Sequence, residues 1–303
     1  MQKPLILDIK CNSLDDGPGI RTVVFFKGCP LSCVWCHNPE SKKQEAELYY
    51  SKEDCIKCGS CIVSCKHGAI DFSNKYFIDR EKCTRCFECV SVCPSKALKT
   101  AGEKWDIDDL MHKILSDKIF YDVSNGGVTL SGGEAALYPE FAGELLKRCK
   151  ENNINTLVET CGCFNYTKFE KYMLPYIDTI YFDIKIFDTA LHKKYCGQDN
   201  KSILNNFKKL ATVSNDSNLI LLARTPLIPG ISDTKENLNA TADFLISLGI
   251  KESQLLPYNP TWYPKNFSIG KETDPEIKDF TQWQSKEKIQ ECKDIYLNKK
   301  IKI

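Results

Sequence analysis

The sequence predicts an α/β fold. A parallel sheet forms a partial, TIM-like (β/α)6 barrel that carries a small cysteine-rich domain inserted near its start. Three observations point there. Apolar, strand-like runs alternate with helical segments through the last two hundred residues. The runs end in polar or glycine-rich loops. Between residues 50 and 99, eight cysteines fall in two similar halves. Strand, loop and helix in repetition imply right-handed crossovers and a parallel sheet.

In chain order, Thr22–Phe26 is the first apolar run, and a cysteine loop follows it. Val128–Leu130 ends in Ser131-Gly132-Gly133-Glu134. Tyr138–Asn152 reads as a helix, with Phe141, Leu145 and Cys149 at four-residue spacing on one face. Thr156–Glu159 is the next run, followed by Cys161-Gly162, and Thr179–Ile186 the one after. Leu219–Ala223 ends in Arg224-Thr225-Pro226. Lys235–Leu248 is helical, and Gln254–Tyr258 is a last strand stopped by Asn259-Pro260. Six βα units are too few for a closed eight-stranded barrel. An open or partial barrel fits better than a doubly wound sheet, although spacing alone does not separate them. Residues 1–49 and 100–303 are expected to form the barrel and residues 50–99 the insert. In either fold the chemistry belongs at the C-terminal ends of the strands.

Composition narrows the class. Hydrophobic residues make up 42% of the 303, enough for a full core, and the net charge of +1 argues against nucleic-acid binding. There is no apolar run of membrane-spanning length and no signal-peptide pattern at Met1–Lys10, so a cytoplasmic protein without membrane contact is expected. The chain has 17 cysteines. In a reducing compartment, clustered cysteines are more often metal ligands than disulfides.

Cys29, Cys33 and Cys36 have the spacing C-x3-C-x2-C directly after a strand. Three thiolates in so short a loop can hold three irons of a cubane cluster, leaving the fourth iron open for a small ligand. The competing reading is a zinc site completed by His37.

The triplet is the signature of the radical S-adenosylmethionine (SAM) superfamily. Its surroundings resemble the activating enzymes of glycyl radical enzymes. They include Asp16-Gly17-Pro18-Gly19-Ile20-Arg21, Phe25-Phe26, Gly28-Cys29 and Cys36-His37-Asn38-Pro39. The likeness continues through Ser131–Glu134, Thr160 with Gly162, Asp183-Ile184-Lys185, Arg224 with Pro229-Gly230, and Leu255-Leu256-Pro257-Tyr258. It covers roughly residues 4–260, with the motifs in family order.

The resemblance implies a role for each motif. Cys29, Cys33 and Cys36 would hold a [4Fe–4S] cluster whose open iron takes SAM's amino and carboxylate groups. Lys185 would join them as a catalytic residue. Asn38, Gly132, Gly133, Glu134, Thr160, Asp183, Lys185, Arg224 and Asn259 would contact SAM, with Glu134 accepting from its ammonium. Asp183 and Thr160 would also hold a monovalent cation. Glu159 stands where the family's pattern has aspartate, which puts the cation in doubt, and Asn259 stands where some members carry histidine. Asp16 in its Gly-Pro-Gly loop would help close the site on a partner peptide.

In the insert, Cys55, Cys58, Cys61 and Cys65 are followed at the same spacing by Cys83, Cys86, Cys89 and Cys93. The pattern resembles two-cluster ferredoxins, in which the fourth cysteine of each run crosses to the other cluster. Cys55, Cys58, Cys61 and Cys93 would then hold one [4Fe–4S] cluster, and Cys83, Cys86, Cys89 and Cys65 the other. That makes three clusters in all. The insert would relay electrons from an external reductant such as flavodoxin or ferredoxin, or serve as part of a docking face. The protein substrate would be a glycyl radical enzyme, activated by a monomer. Two alternatives are a radical SAM enzyme acting on a small molecule or another peptide residue, and a pure iron–sulfur electron carrier. The remaining cysteines, among them Cys149, Cys161, Cys163 and Cys196, show no ligand spacing and read as packing.

Overall fold

The computed structural model describes residues 2–278 and 280–303. Ten strands form. They are β1 (Leu5–Ser13), β2 (Arg21–Phe26), β3 (Glu47–Tyr50), β4 (Leu98–Ala101), β5 (Glu103–Lys104), β6 (Gly127–Gly132), β7 (Asn155–Thr160), β8 (Thr179–Asp183), β9 (Ile220–Pro226) and β10 (Ser253–Leu256). Eight make one sheet in the order β10-β9-β8-β7-β6-β2-β1-β5, with β10 and β5 as its edges. From β2 to β10 the neighbours pair in parallel, which gives the six parallel strands expected. β1 adds to β2 antiparallel, and β5 to β1.

The fourth parallel run ends sooner than expected. β8 stops at Asp183, so Lys185 lies just past the strand rather than on it. One further backbone bond, from Ile184 to the Arg224 carbonyl, carries the pairing a step beyond.

Side chains alternate across the sheet. One face takes Phe26, Val128, Leu130, Val158, Ile180 and Phe182, all buried. It meets the helices: Phe26 packs edge-on against Phe141 of the helix Pro139–Glu151, and Phe182 against Phe207 of the helix Lys201–Asn215. Cys149 is buried on that helical face, beside Met111. The other face carries Arg21, Thr129, Ser131, Glu159, Tyr181, Asp183 and Arg224, so its polar residues gather toward the strands' C-terminal ends. At the opposite end the loop between β1 and β2 forms a floor. Arg21 is fully buried and donates to Thr129 Oγ1 (2.7 Å) and to the Val128 carbonyl (2.7 Å). Thr129 donates in turn to the Asp16 carbonyl. Asp16 thus lies at the N-terminal end of the strands, about two residues below Ser131.

Between β2 and β6 the chain makes an excursion that closes on itself, because β3 and β4 pair antiparallel as a separate two-stranded sheet. A second apolar core collects there from Leu48, Tyr50, Ile70, Phe77, Ile78, Ala97 and Leu98. The sequence repeat is also a backbone repeat. Gly59 and Phe87 both sit in the left-handed region just before the short helices Ser60–Ser64 and Glu88–Ser91. Two residues earlier, Lys57 and Arg85 do the same. Left-handed non-glycine residues are costly and collect at functional loops. Buried Lys27, one residue past β2, anchors the excursion by an ion pair with Glu47 at 3.0 Å.

The segment after β10 covers this junction. Trp262 is buried and donates to the Tyr258 hydroxyl. In the helix Tyr263–Ser268, Phe267 packs on Tyr50 and Tyr76 of the excursion, and the Ser268 carbonyl accepts from Arg80. No helix among the described residues is long and apolar enough to cross a membrane.

Candidate active site

The cysteine loop begins at Gly28, whose φ of 107° suits glycine. Its backbone is tied down on two sides. Gly28 and Cys29 donate to the carbonyls of Ser41 and Lys42, at 2.6 and 3.0 Å. Ser32 and Val34 donate to the carbonyls of Cys196 and Tyr195, at 2.8 and 3.0 Å. Those carbonyls belong to the C-terminal end of the helix Thr189–Cys196, where helical partners run out. Lys42 Nζ donates to the Cys33 carbonyl (2.7 Å), and buried Leu31 and Trp35 anchor the loop in the main core. Cys33 is buried, and Cys29 and Cys36 are partly so.

Two further thiols meet this trio. Interaction with Cys196 lowers the Cys33 pKa against the effect of burial, and the same interaction raises that of Cys196. Cys161, just past β7, has its own pKa raised by the neighbouring Cys29 and by burial. Burial pushes Cys36 up to about 11.

Beside the loop, the strand ends carry an alternating chain of charges. Lys185 Nζ donates to Asp183 (2.9 Å), and Arg224 Nε donates to the other Asp183 oxygen (2.9 Å). The Arg224 fork also reaches Glu159 (2.6 Å), whose second oxygen accepts from Ser131 (2.6 Å). Arg224 further lies over the Tyr181 ring at 5.0 Å. Burial works against ionisation of Asp183, but Arg224 and Lys185 outweigh it and hold the carboxyl below its ordinary range. Burial likewise opposes charge on Lys185. Asp183 first, then the Cys33 and Cys161 sulfurs, reverse that and raise its pKa.

Several residues expected at SAM make contacts within the protein. Glu134 is fully buried, with its carboxylate turned inward to accept from Thr160 Oγ1 (2.9 Å), Cys161 N (2.8 Å) and Ala136 N (3.1 Å). It therefore joins the ends of β6 and β7 rather than presenting an open acceptor to an ammonium group. Burial raises its pKa, offset in part by those donors. Thr160 is used in the same contact. Strand alternation puts it on the opposite face from its neighbour Glu159. Gly132 and Gly133 approach protein backbone rather than open space. A Cβ on Gly132 would meet the Phe26 backbone, and one on Gly133 would overlap the Gly28 carbonyl oxygen. Asn38 Oδ1 accepts from Lys265 (3.1 Å), which also reaches the His37 carbonyl (3.0 Å). Asn259 caps the turn Pro260–Trp262 through Thr261 N (2.9 Å).

The excursion holds two small hollows lined by its cysteines. Cys55, Cys58, Cys61 and Cys93 line the first, together with Tyr50, Phe72 and Phe77. Cys65, Cys83, Cys86 and Cys89 line the second, together with Leu48, His67 and Ile70. Each run of four thus sends its last cysteine to the other run's cavity.

Sequence reasoning missed Cys161, Cys196, Ser131 and Lys265 as members of the site. Cys161 was findable, because it follows the C-terminal end of a parallel strand. Nothing local marks Cys196, which reaches Cys33 across 163 residues of chain.

A strand-end cysteine triplet beside a charged sheet end defines an iron–sulfur protein of radical SAM type. Residues 54–97 match the family model described as a 4Fe-4S dicluster domain, and residues 15–71 a 4Fe-4S single cluster domain. A radical SAM methyltransferase from Sphaerobacter thermophilus shares the fold at 13% identity and a TM-score of 0.53, covering 99% of this chain and 76% of that one. Three relatives narrow the class. The trans-4-hydroxy-L-proline dehydratase activating enzyme of Clostridioides difficile is 42% identical over 97% of this chain and 96% of its own length. The choline trimethylamine-lyase activating enzyme of Oleidesulfovibrio alaskensis is 39% identical over 89% and 88%. The isethionate sulfite-lyase activating enzyme of Desulfovibrio desulfuricans is 40% identical over 89% and 88%. The chain belongs to the activating enzymes of glycyl radical enzymes. It cleaves SAM reductively and removes a hydrogen atom from a glycine of a partner glycyl radical enzyme.

Proposed function

We propose that Cys29, Cys33 and Cys36 hold the SAM-binding [4Fe–4S] cluster, with two more clusters in an insert spanning about residues 50–99. The remaining residues, 1–49 and 100–303, form a partial barrel around the site. The crossed lining of the two cavities carries the assignment of the insert. The donor set fits: all eight ligands are thiols, they surround voids, and the cavity walls are apolar.

When bound, the cluster at the trio supplies the electron that splits SAM into methionine and a 5′-deoxyadenosyl radical. This chain's residues bind, orient and shield. Lys185 and Arg224 are the cations available to SAM's carboxylate, and Asp183 and Glu159 the acceptors available to its ammonium. The glycines at 132 and 133 let the β6 turn press on the cysteine loop, and Glu134 locks that turn to β7. Glu134 and Thr160 therefore act on SAM through the loop they fix. Asn38 and Asn259 lie at the rim, where Lys265 holds Asn38. Both oxygens of Glu159 and of Asp183 take donors from the protein, and Thr160 bonds Glu134, so a monovalent cation there would share those oxygens with Arg224, Lys185 and Ser131.

Electrons from a flavodoxin- or ferredoxin-like reductant would enter through the insert. Leu48 lines the cavity of Cys65, Cys83, Cys86 and Cys89, one residue from the Glu47–Lys27 pair that adjoins the cysteine loop. Tyr50, two residues further along β3, lines the other. This favours the Cys65 cavity as the inner station of a relay. The relatives activate different partners at similar identity, so the partner is defined here only as a glycyl radical enzyme. The chain would act as a cytoplasmic monomer without nucleic acid or membrane.

The test is anaerobic reconstitution with iron and sulfide, then SAM and dithionite. The native chain should form 5′-deoxyadenosine and leave an EPR doublet on a glycyl-loop partner. Alanine at 29, 33 or 36 should abolish both and remove one third of the iron. Full iron and turnover in those variants would refute the assignment.

A further inference from the structure

The lysines around the cysteine loop are not equivalent. Lys27 and Lys43 both pair with Glu47, at 3.0 Å each, and Lys265 lies 3.6 Å from Glu40. Lys42 is half-buried, and among the described residues it makes no ion pair. It grips the loop at both of its ends. Its carbonyl accepts from Cys29 N (3.0 Å), and its Nζ donates to the Cys33 carbonyl (2.7 Å). One residue thus spans the first two members of the trio. Its own backbone is placed independently of its side chain. The Lys42 N–H donates to the Pro39 carbonyl (3.4 Å), and the neighbouring Ser41 carbonyl takes Gly28 N (2.6 Å). The fold therefore delivers an ammonium to the backbone of Cys33 with no carboxylate to neutralise it. A charge withdrawn from water without a counter-charge is unfavourable. Three thiolates holding an iron–sulfur cluster would supply the missing negative charge.

We propose that Lys42 is the counter-charge of the cluster at Cys29, Cys33 and Cys36, and that its ammonium raises the reduction potential of that cluster. The inference rests on the assignment of those three cysteines made above. The net charge around an iron–sulfur cluster is one of the levers on its potential. Reduction adds one electron, so the negative charge there grows, and a nearby cation stabilises the reduced state more than the oxidised one. Removing the cation should therefore make the cluster harder to reduce. Lys265 touches the same loop at the His37 carbonyl (3.0 Å), but Glu40 opposes its charge, so its removal should matter less. Lys42 transfers no atom and acts through the loop it grips, so it is a positioning residue.

The test is an EPR-monitored redox titration of anaerobically reconstituted holoprotein. The signal to follow is the one that changes when SAM is added, with the insert signals as internal references. Lys42→Met and Lys42→Gln both remove the charge, and either serves should the other fail to fold. Lys42→Arg keeps it. The neutral variants should retain full iron while the equilibrium for reduction falls about tenfold, a shift of 59 mV to more negative potential for one electron. Lys42→Arg should stay near the native value, Lys265→Met should shift less than Lys42→Met, and the insert potentials should not move. An unmoved potential with full iron in the neutral variants overturns the proposal. An arginine variant that shifts as far as the methionine one also overturns it, because the contact rather than the charge would then matter. Loss of one third of the iron from both neutral variants does the same, since Lys42 would then be needed to assemble the loop. Failure of the parent assignment looks different: Cys29→Ala itself would retain all its iron.

Discussion

Replacing Glu47 by Gln should cost more stability than any single change on the exposed surface. The ammonium of Lys27 has no solvent exposure and sits 3.0 Å from Glu47, with the Glu40 carbonyl as its other partner. Lys43 also reaches Glu47 but is half exposed, so it adds little. Removing one partner of a buried pair leaves an uncompensated charge, at about 3–5 kcal/mol. At roughly 2–4 °C per kcal/mol for a chain of this size class, the midpoint should fall by on the order of 10 °C. Replacing both partners, as Lys27→Met with Glu47→Leu, removes the charge and should melt closer to the native protein than Glu47→Gln does. Burial opposes ionisation of Glu47, but Lys27 outweighs it and holds the carboxyl below its ordinary range. The pair's contribution is then fully present above the unfolded value of about 4.3, and is lost as pH falls through the depressed folded one. A melt at neutral pH reads all of it. The assay is an anaerobic thermal scan of fully loaded protein, followed by circular dichroism and cluster absorbance at one scan rate. A Glu47→Gln midpoint within about 2 °C of native, or a double variant melting below the single, would refute the reasoning.

Crossed ligation makes iron loss non-additive. Cys55→Ala with Cys93→Ala should lose one third of the iron, as either single does, whereas Cys55→Ala with Cys65→Ala should lose two thirds; iron analysis decides it. Gly133→Ala pushes against the Gly28 carbonyl and should cost about 1–3 kcal/mol, with iron lost from the trio and kept in the insert. A denaturant melt and EPR together read that outcome. Glu134→Gln sets an amide N–H₂ among three donors, leaving a buried group unpaired at about 1–3 kcal/mol, which a lowered denaturation midpoint should report.

What was legible in the chain was what local spacing encodes. The six parallel strands bury one face against the helices, and their short apolar runs show as such. The two cysteine runs carry their partner-swapping in the repeat itself, and the cavity linings match it. β1 was not legible because it is the penultimate strand near an edge, mostly half exposed and interrupted by charge; β5 has two residues. The Lys27–Glu47 pair depends on how the excursion folds back, which spacing does not state. The inward turn of Glu134 onto Thr160 was not legible, because the role expected of each came from resemblance rather than from strand geometry.

The charge chain at the strand ends has a consequence for what enters. Glu159 and Asp183 contribute two negative charges, and Arg224 and Lys185 two positive ones, each already bonded to an opposite partner. A lone anion or cation arriving there would have to displace a pair and leave a buried charge uncompensated, at a cost of several kcal/mol. The amino acid end of SAM is a zwitterion. On the proposed assignment its carboxylate can take one cation while its ammonium takes the carboxylate released, so the exchange conserves both charge and hydrogen bonds. A neutral, fully paired site therefore discriminates against simple ions without being closed to an amino acid. On the proposed assignment, that balance is the physical reason the same four residues suit the amino acid end of SAM.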